Sequence, residues 1–355
     1  MSFRSNRHMG KGVVAIANQA TVDSMTASSE AFIAADVGGT HVRIGLVHGS
    51  GDPAHPVTVL AYEKYACAQY PSLTEIIRDF LQSHTRGSVR RGVIASAGFP
   101  LEDGTVITAN LPWPLSPRET GKQLGFADLR LVNDFEAVAH AAAHVDASEV
   151  LQLTGPATAS TQAPILILGP GTGLGAAVWI PTAHRPVVLP TEAGQAALTP
   201  GNDIEMALLA HMLKSRSHVS TEYALSGPGL MNLHAALCVL RGEQAVYQAP
   251  GEITQAAIAG TDPLARESLE IFCGLLGSTV GDMALLYGAQ GGVYLAGGIL
   301  PHIREFLVGS TFVERFLNKG PMRTALERIP VRLVEHGQLG VLGAANWYLG
   351  QDAME

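Results

Sequence analysis

Two stretches of this chain read as a strand, a glycine turn and a second strand, and that repeated device constrains the fold more than any other feature. One is "ILILGPGTGLGAAVWI" over residues 165–180. Its Gly171, Gly173 and Ala176 fit the G-x-G-x-x-G/A pattern of a dinucleotide-binding turn, but in that motif the turn must open a helix. Here Ala177-Val178-Trp179-Ile180 leads straight to Pro181. A helix would run only about five residues before proline removed a backbone donor, and Val, Trp and Ile favour a strand. The other stretch is "AFIAAD" (31–36), then "VGGT", then "HVRIGLV". Two α/β halves that each open this way, facing one another across a cleft, can grip a nucleotide's phosphates from both sides. Glycine suits such turns because a Cβ would hold phosphate oxygens away from the backbone N–H groups.

The 355 residues suggest about two domains. The count of 39 glycines points to many tight turns or close backbone approaches, and the net charge of −8 argues against nonspecific nucleic-acid binding. Cys67, Cys238 and Cys273 are odd in number and far apart. They suggest buried thiols in a reduced, cytoplasmic setting. No CxxC or HExxH spacing supports a structural zinc site. G-x-S-x-G and G-x-x-x-x-G-K-[ST] are also absent, which weighs against a serine hydrolase and a P-loop NTPase. No uninterrupted apolar run reaches the roughly 18 residues of a membrane span. The patch "GVVAIA" near the N-terminus is short for a signal-peptide core. Residues 1–30 read as a flexible extension or as residues upstream of a mis-assigned start, with Met9 and Met25 as candidate starts.

Between the two devices, Ser72 to Leu81 reads as a helix, with Ser72 and Glu75 in a capping-box pattern and Ile76, Ile77, Phe80 and Leu81 on one face. "RGVIASA" (91–97) reads as a buried strand before a turn at "GFPLEDGT". "LRLVNDF" is a strand ending in a polar pair, and "EAVAHAAAHV" continues as an alanine-rich helix. After a loop-like stretch over 154–164 the second half is expected to be strand-rich to about 200 and helical to about 290. "SGPGL" reads as a turn into a helix beginning near Met231. "GGVYLAGGIL" (291–300) is a strand meeting glycines, "PVRLVEH" a late strand and "GVLGAANWYLG" a final helix. The expected division is a small α/β domain over 31–144, completed by the C-terminal helix at about 335–355, and a large α/β domain over 145–334.

Several acids stand where chemistry is possible. Asp36, just before a glycine turn, can hold Mg²⁺ directly or through water; it can equally be a turn aspartate bonding its own backbone. Asn133 and Asp134 lie at a strand's C-terminal end, where α/β folds place ligands, and both residue types also cap helices. Glu192 and Glu222 are lone acids in poorly charged surroundings, and lone glutamates usually face solvent.

Six segments appear together in order: "DVGGTHVR" (36–43), "LVNDFEAVA" (131–139), "GPGTGLG" (169–175), "LPTEAGQ" (189–195), "EYALSGPGLMNLH" (222–234) and "VYLAGGILP" (293–301). With them the chain resembles, over about residues 31–350, the bacterial glucokinases outside the repressor-kinase group, in the superfamily of actin, sugar kinases and heat-shock ATPases. The cysteine cluster of the repressor-kinase group is missing. The resemblance implies a two-domain actin/hexokinase-like (ribonuclease H-like) α/β fold with a cleft between a small and a large domain. It implies ATP and Mg²⁺ as cofactors, transfer of phosphate to the 6-hydroxyl of glucose, and a homodimer. Carried onto this chain, Asp134 is the catalytic base, and Asn110, Asn133, Asp134, Glu192, Gln195 and Glu222 contact the sugar. Gly38, Gly39 and Thr40, with Gly171, Thr172 and Gly173, form the two phosphate turns, and Gly297 and Gly298 the nucleoside turn. Asp36 is the Mg²⁺ residue. No nucleic acid or membrane partner is implied. The family usually has asparagine where this chain has His41, and histidine where it has Gln195. The second departure keeps a kinase of another hexose as an alternative; a paralogue that binds sugar as a sensor, with little turnover, is the non-enzyme alternative.

Overall fold

A computed structural model describes residues 30–352, apart from 53–54, 103, 109–110, 143–144, 146, 159, 184–185 and 335–336. The extension expected over 1–30, Glu30 excepted, and the sugar contact expected at Asn110 lie outside the described residues.

The first half runs β1 (Phe32–Val37), β2 (His41–Gly49), β3 (Val57–Ala66), α1 (Leu73–His84), β4 (Arg91–Ser96), β5 (Phe99–Pro100), β6 (Val106–Ile107), α2 (Pro117–Leu124), β7 (Asp128–Val132) and α3 (Asp134–Ala142). The second runs β8 (Val150–Thr154), β9 (Ile165–Pro170), β10 (Leu174–Ile180), β11 (Val187–Thr191), α4 (Asp203–Met212), α5 (Thr221–Ala224), α6 (Gly227–Arg241), α7 (Pro250–Ala259), α8 (Pro263–Leu286) and β12 (Gly292–Leu295). It continues with α9 (Arg304–Gly309), α10 (Phe312–Leu317), α11 (Arg323–Leu326), β13 (Val331–Val334) and α12 (Leu339–Asp352).

Each glycine device forms an antiparallel hairpin, β1–β2 and β9–β10. Each hairpin then seeds a sheet of the same design. The first sheet has the order β3-β2-β1-β4-β7 and the second β11-β10-β9-β12-β13-β8. In both, three antiparallel strands are extended by two parallel ones; β8 then closes the second sheet antiparallel. The echo seen in the sequence is therefore an echo of topology.

β1 is apolar on both faces because it is covered on both. Ile33, Ala35 and Val37 join Ile76, Ile77 and Phe80 of α1 in one core, while Phe32 and Ala34 join Val341, Ala344, Ala345 and Tyr348 of α12 in another. Side chains alternate across a strand, so a single run of residues feeds both layers. The core of the second half is built around α8, with Leu269, Phe272, Leu276 and Val280 buried. Among the described residues α8 is the one helix long and apolar enough to cross a membrane, and 72% of its apolar window is buried inside the protein.

α3 connects the two sheets. Its Ala137 packs with α12 and the first sheet, whereas Ala139 and Ala142 pack with Ile167 and Ala177 of the second. α12 crosses α3 so closely that a Cβ on Gly343 would overlap the Ala137 carbonyl. Small residues allow this approach, and alanine keeps α3 helical without bulk.

Local signals behave as their chemistry requires. Ser72 caps α1 by accepting from Glu75 N at 3.3 Å, while the Glu75 carboxylate pairs with Arg78. Two readings change. The "GFPLEDGT" stretch is the first strand and the turn of a small hairpin, in which β5 pairs with β6 directly after it. "SGPG" is not a turn before a helix but the start of one: Ser226 accepts from Gly229 N at 2.9 Å and Pro228 sits in the first turn of α6, where its missing N–H costs nothing.

Gly343→Ala is expected to destabilise the protein by about 1–3 kcal/mol or more, because the α3–α12 crossing must open to admit the methyl group. Gly350, on the same helix, has among the described residues no atom outside its own helix backbone and chain neighbours within 4 Å of its Cβ position. Gly350→Ala should hold or raise stability by up to about 1 kcal/mol. Urea denaturation of both variants checks the pair.

Candidate active site

The ends of β1 and β7 bring two carboxylates together. Asp36, near the end of β1, is half-buried. Arg43, its partner in the β1–β2 register, donates from Nη1 to Asp36 Oδ2 at 3.2 Å. On the other side Gly340, in the first turn of α12, admits the carboxylate; a Cβ there would lie 2.5 Å from Asp36 Cγ. Burial pushes the Asp36 carboxyl above its ordinary range, and Arg43 opposes that rise. The turn that follows is closed by Gly38 N donating to His41 O at 3.0 Å. It is propped from just after β3, where Cys67 donates through Sγ to Gly38 O at 3.3 Å and through N to Thr40 O at 3.0 Å. Partial burial and the charges of Lys64 and Arg43 lower the pKa of His41, so its imidazole is neutral at pH 7.

Asn133 caps α3: its Oδ1 accepts from Phe135 N and Glu136 N, each at 3.0 Å. The capping role open to this residue in the sequence is thus realised. Asp134 opens the helix, and its Oδ1 accepts from Phe135 N at 2.9 Å. Burial raises its pKa to about 6, reinforced by the charges of Asp36 and Glu192 and opposed by backbone N–H donors. Acids distant in sequence therefore share one electrostatic field. Phe135 then fixes the helix onto the other sheet, since its ring occupies the space that Cβ atoms on Gly169 and Gly175 would need.

In the second half the β9–β10 turn is tied by Gly171 N to Gly173 O at 2.7 Å and by Gly227 N to Gly171 O at 2.8 Å. Glu192 follows β11 and leads a single 3-10 turn, Ala193–Gln195. Gln195 Nε2 donates to Glu222 Oε1 at 3.0 Å, and Leu174 N donates to Glu222 Oε2 at 2.8 Å. Gly297, after β12, lies against Pro170 so closely that a Cβ would overlap its carbonyl. Gly171 and Gly298 differ: among the described residues no atom beyond their chain neighbours stands within 4 Å of their Cβ positions, which leaves space in front of both turns.

The structure therefore brings Asp36, Asp134 and Glu192 into one field and joins Gln195, Glu222 and the 171–173 turn by hydrogen bonds. Sequence reasoning missed Arg43 as the partner of Asp36, Cys67 as the prop of the first turn, Gly340 as the door for Asp36, and Phe135 as the lock on the second sheet. Arg43 was legible in principle: a tight turn after Asp36 pairs residues 36 and 43 across the hairpin. The other three depend on contacts distant in sequence.

The profile of the glucokinase family matches residues 33–351. The chain belongs to the glucokinase family. A glucokinase-like protein of Xylella fastidiosa (strain 9a5c) is 58% identical over 322 residues, covering 91% of this chain and 96% of that one. A crystal structure of glucokinase from an Antarctic psychrotroph superposes with a TM-score of 0.78 at 34% identity, covering 90% of this chain and 99% of the other. A glucokinase of the ROK family from Streptomyces griseus, solved with glucose and AMPPNP, shares the fold at a TM-score of 0.60 and 21% identity, covering 89% and 98% of the two chains. The fold is thus the actin/hexokinase-like one, and the chain is an enzyme, a sugar kinase.

The raised pKa of Asp134 has a consequence for stability. A carboxyl with a higher pKa in the folded state destabilises the fold when it ionises. The cost is fully present above pH 6 and disappears below about pH 4. Asp134→Asn is therefore expected to stabilise the protein at pH 8 by about 1–3 kcal/mol, with the gain vanishing toward pH 4. Urea unfolding at the two pH values measures it.

Proposed function

We propose that this enzyme transfers the γ-phosphoryl group of ATP to the 6-hydroxyl of glucose, giving glucose 6-phosphate, with Asp134 as the general base. The observation that carries this reading is the position of Asp134 at the N-terminus of α3, half-buried, with its pKa raised to about 6 by burial and by Asp36 and Glu192. A carboxylate of that basicity is ionised at neutral pH yet accepts a proton more readily than an ordinary aspartate, as a base on a sugar hydroxyl needs. Asp134 orients the hydroxyl and takes its proton as the new O–P bond forms. Such a base contributes about 10²–10⁴-fold; positioning and charge neutralisation supply most of the remainder.

Asn133, Glu192, Gln195 and Glu222 are assigned to the sugar hydroxyls, as is Asn110. Each hydroxyl both donates and accepts, and ionised carboxylates accept with bonds of about 1.5–3 kcal/mol. The 38–40 and 171–173 turns are assigned to the phosphates and the 297–298 turn to the nucleoside. Asp36 is assigned to Mg²⁺, directly or through water. The donor set fits that ion. Mg²⁺ bound with nucleotide takes one or two carboxylates and leaves its other positions to phosphates and water. Among the described residues no cluster of three or more His, Cys, Asp or Glu residues offers an all-protein cage. Bound there, Mg²⁺ would supply charge neutralisation to the phosphates. The two sheet-bearing halves act as the small and large domains, which close over the sugar and exclude water as a competing acceptor. The enzyme works in the cytoplasm.

One observation favours a second reading of the substrate. Gln195, where the family usually has histidine, holds Glu222 through its amide. It changes which lone pairs of that carboxylate are free for the sugar, and with them the rank order of hexoses.

ADP release with ATP and Mg²⁺ across glucose, mannose, fructose, glucosamine and N-acetylglucosamine tests both readings. Glucose is expected to lead, and no release with any sugar from a protein that still binds glucose would replace the kinase by a sensor. Asp134→Asn should lower kcat about 10²–10⁴-fold with glucose binding still measurable. The wild-type rate should fall about tenfold per pH unit below pH 6 as the base is protonated. Gln195→His should raise kcat/KM for glucose relative to the other hexoses by up to about tenfold; an unchanged ratio removes Gln195 from the selectivity of the site.

A further inference from the structure

Glu222 offers its two carboxylate oxygens to two different devices. Oε1 accepts from Gln195, in the loop assigned to the sugar, and Oε2 accepts from the backbone N–H of Leu174, directly after the turn assigned to phosphate. The second contact is built into the backbone. Gly173 is not at a positive φ, so the main chain there does not demand glycine. What crowds it is Glu222, since a Cβ on Gly173 would come within 2.5 Å of Oε2 and push the carboxylate aside. The backbone of Glu222 is itself held from behind. Ser226 Oγ donates to Glu222 O at 2.9 Å, and Gly227 N, one residue on, donates to Gly171 O at 2.8 Å. The start of α6, Glu222 and the 171–174 turn form one hydrogen-bonded unit. On the sugar side, residues 195–198 are tied to 218–221 by His218 Nε2 to Gln195 O at 3.0 Å, Leu198 N to Val219 O at 2.9 Å and Thr221 N to Ala196 O at 2.7 Å. That network delivers Gln195 to Oε1.

We propose that Glu222, beyond its sugar contact, is a positioning residue for the nucleotide: through Oε2 it holds the 171–174 turn in the shape that receives a phosphate. The proposal rests on the kinase reading of the site. It also makes one carboxylate common to both ligands. A hexose hydroxyl that engages Oε1 displaces or reorients Gln195 and changes the charge density that Oε2 offers to Leu174. Sugar and nucleotide affinities are then coupled through Glu222, by the same factor in either direction.

The test is the affinity of the full-length protein for Mg-ADP without sugar, by titration calorimetry, in wild type, Glu222→Ala, Glu222→Gln, Gly173→Ala and the Glu222→Ala/Gly173→Ala double variant. Glu222→Ala should bind Mg-ADP about tenfold more weakly, having lost a charge-assisted bond to the turn. Glu222→Gln should stay within about twofold of wild type, because its amide oxygen still accepts from Leu174 N, although its glucose affinity falls. Gly173→Ala should weaken Mg-ADP binding as Glu222→Ala does, and the double variant should be no weaker than either single one. Amide hydrogen exchange at Leu174 should accelerate in Glu222→Ala and not in Glu222→Gln. Wild-type Mg-ADP affinity in Glu222→Ala, or an equal loss in Glu222→Gln, overturns the proposal. If Glu222→Ala fails to fold, the contrast between Glu222→Gln and Gly173→Ala decides the matter. A wild type that binds Mg-ADP but phosphorylates no hexose overturns the kinase reading instead, and the same titrations still decide the role of Glu222.

Discussion

The crossing of α3 and α12 is the contact on which the rest of this molecule depends. Gly343 lets the two helices approach to backbone contact at Ala137, and each helix begins beside one acid of the site. Asp134 is the first residue of α3. Asp36 lies against Gly340 in the first turn of α12. Where the helices cross thus sets how far apart the two carboxylates stand. The N-termini of both helices offer positive dipole ends to acids whose pKa burial raises. A single methyl group at the crossing would disturb packing and electrostatics together.

From that contact the site extends into the second half by shape as much as by charge. Phe135 follows Asp134 and lies on β9 and β10 where glycines leave room for it. The position of Asp134 is therefore referred to the hairpin whose turn is assigned to phosphate. Most of the glycines around the cleft have this packing role: Gly169, Gly173, Gly175, Gly194 and Gly297 each face an atom that a Cβ would strike. Gly171 and Gly298 face open space, and they are the ones whose bareness a ligand can exploit. A glycine motif read as a phosphate signature is thus two populations, one for packing and one for access.

The acids show the same division of labour. Asp36 has a cation, Arg43, within reach; Glu222 has two N–H donors; Asp134 has, among the described residues, local backbone donors and two neighbouring negative charges. Asp134, whose pKa burial and those neighbouring charges raise to about 6, is the group assigned to proton transfer. Stability is lost at the place where reactivity is gained, as buried catalytic carboxyls generally require.

The local rules of the chain announced its two glycine hairpins, and with them the seeds of its two sheets. Glycine between two β-branched runs, with a proline closing the second, permits a hairpin and excludes a dinucleotide helix; having two such hairpins makes two sheets. Ser72, and Asn133 beside Asp134, announce helix starts through their own hydrogen-bonding chemistry. "SGPG" was misread because proline and glycine signal turns on average, and only the Ser226 cap shows that proline stands in a first helical turn. Tertiary structure alone decided the remainder. It set which glycines face atoms and which face space, the closeness of Gly343 to Ala137 and of Gly340 to Asp36, the docking of Phe135, and the rise of the Asp134 pKa. Each of these depends on distances between residues that are far apart in the chain, and burial and Coulomb energies follow distance in space while sequence records only order along the backbone.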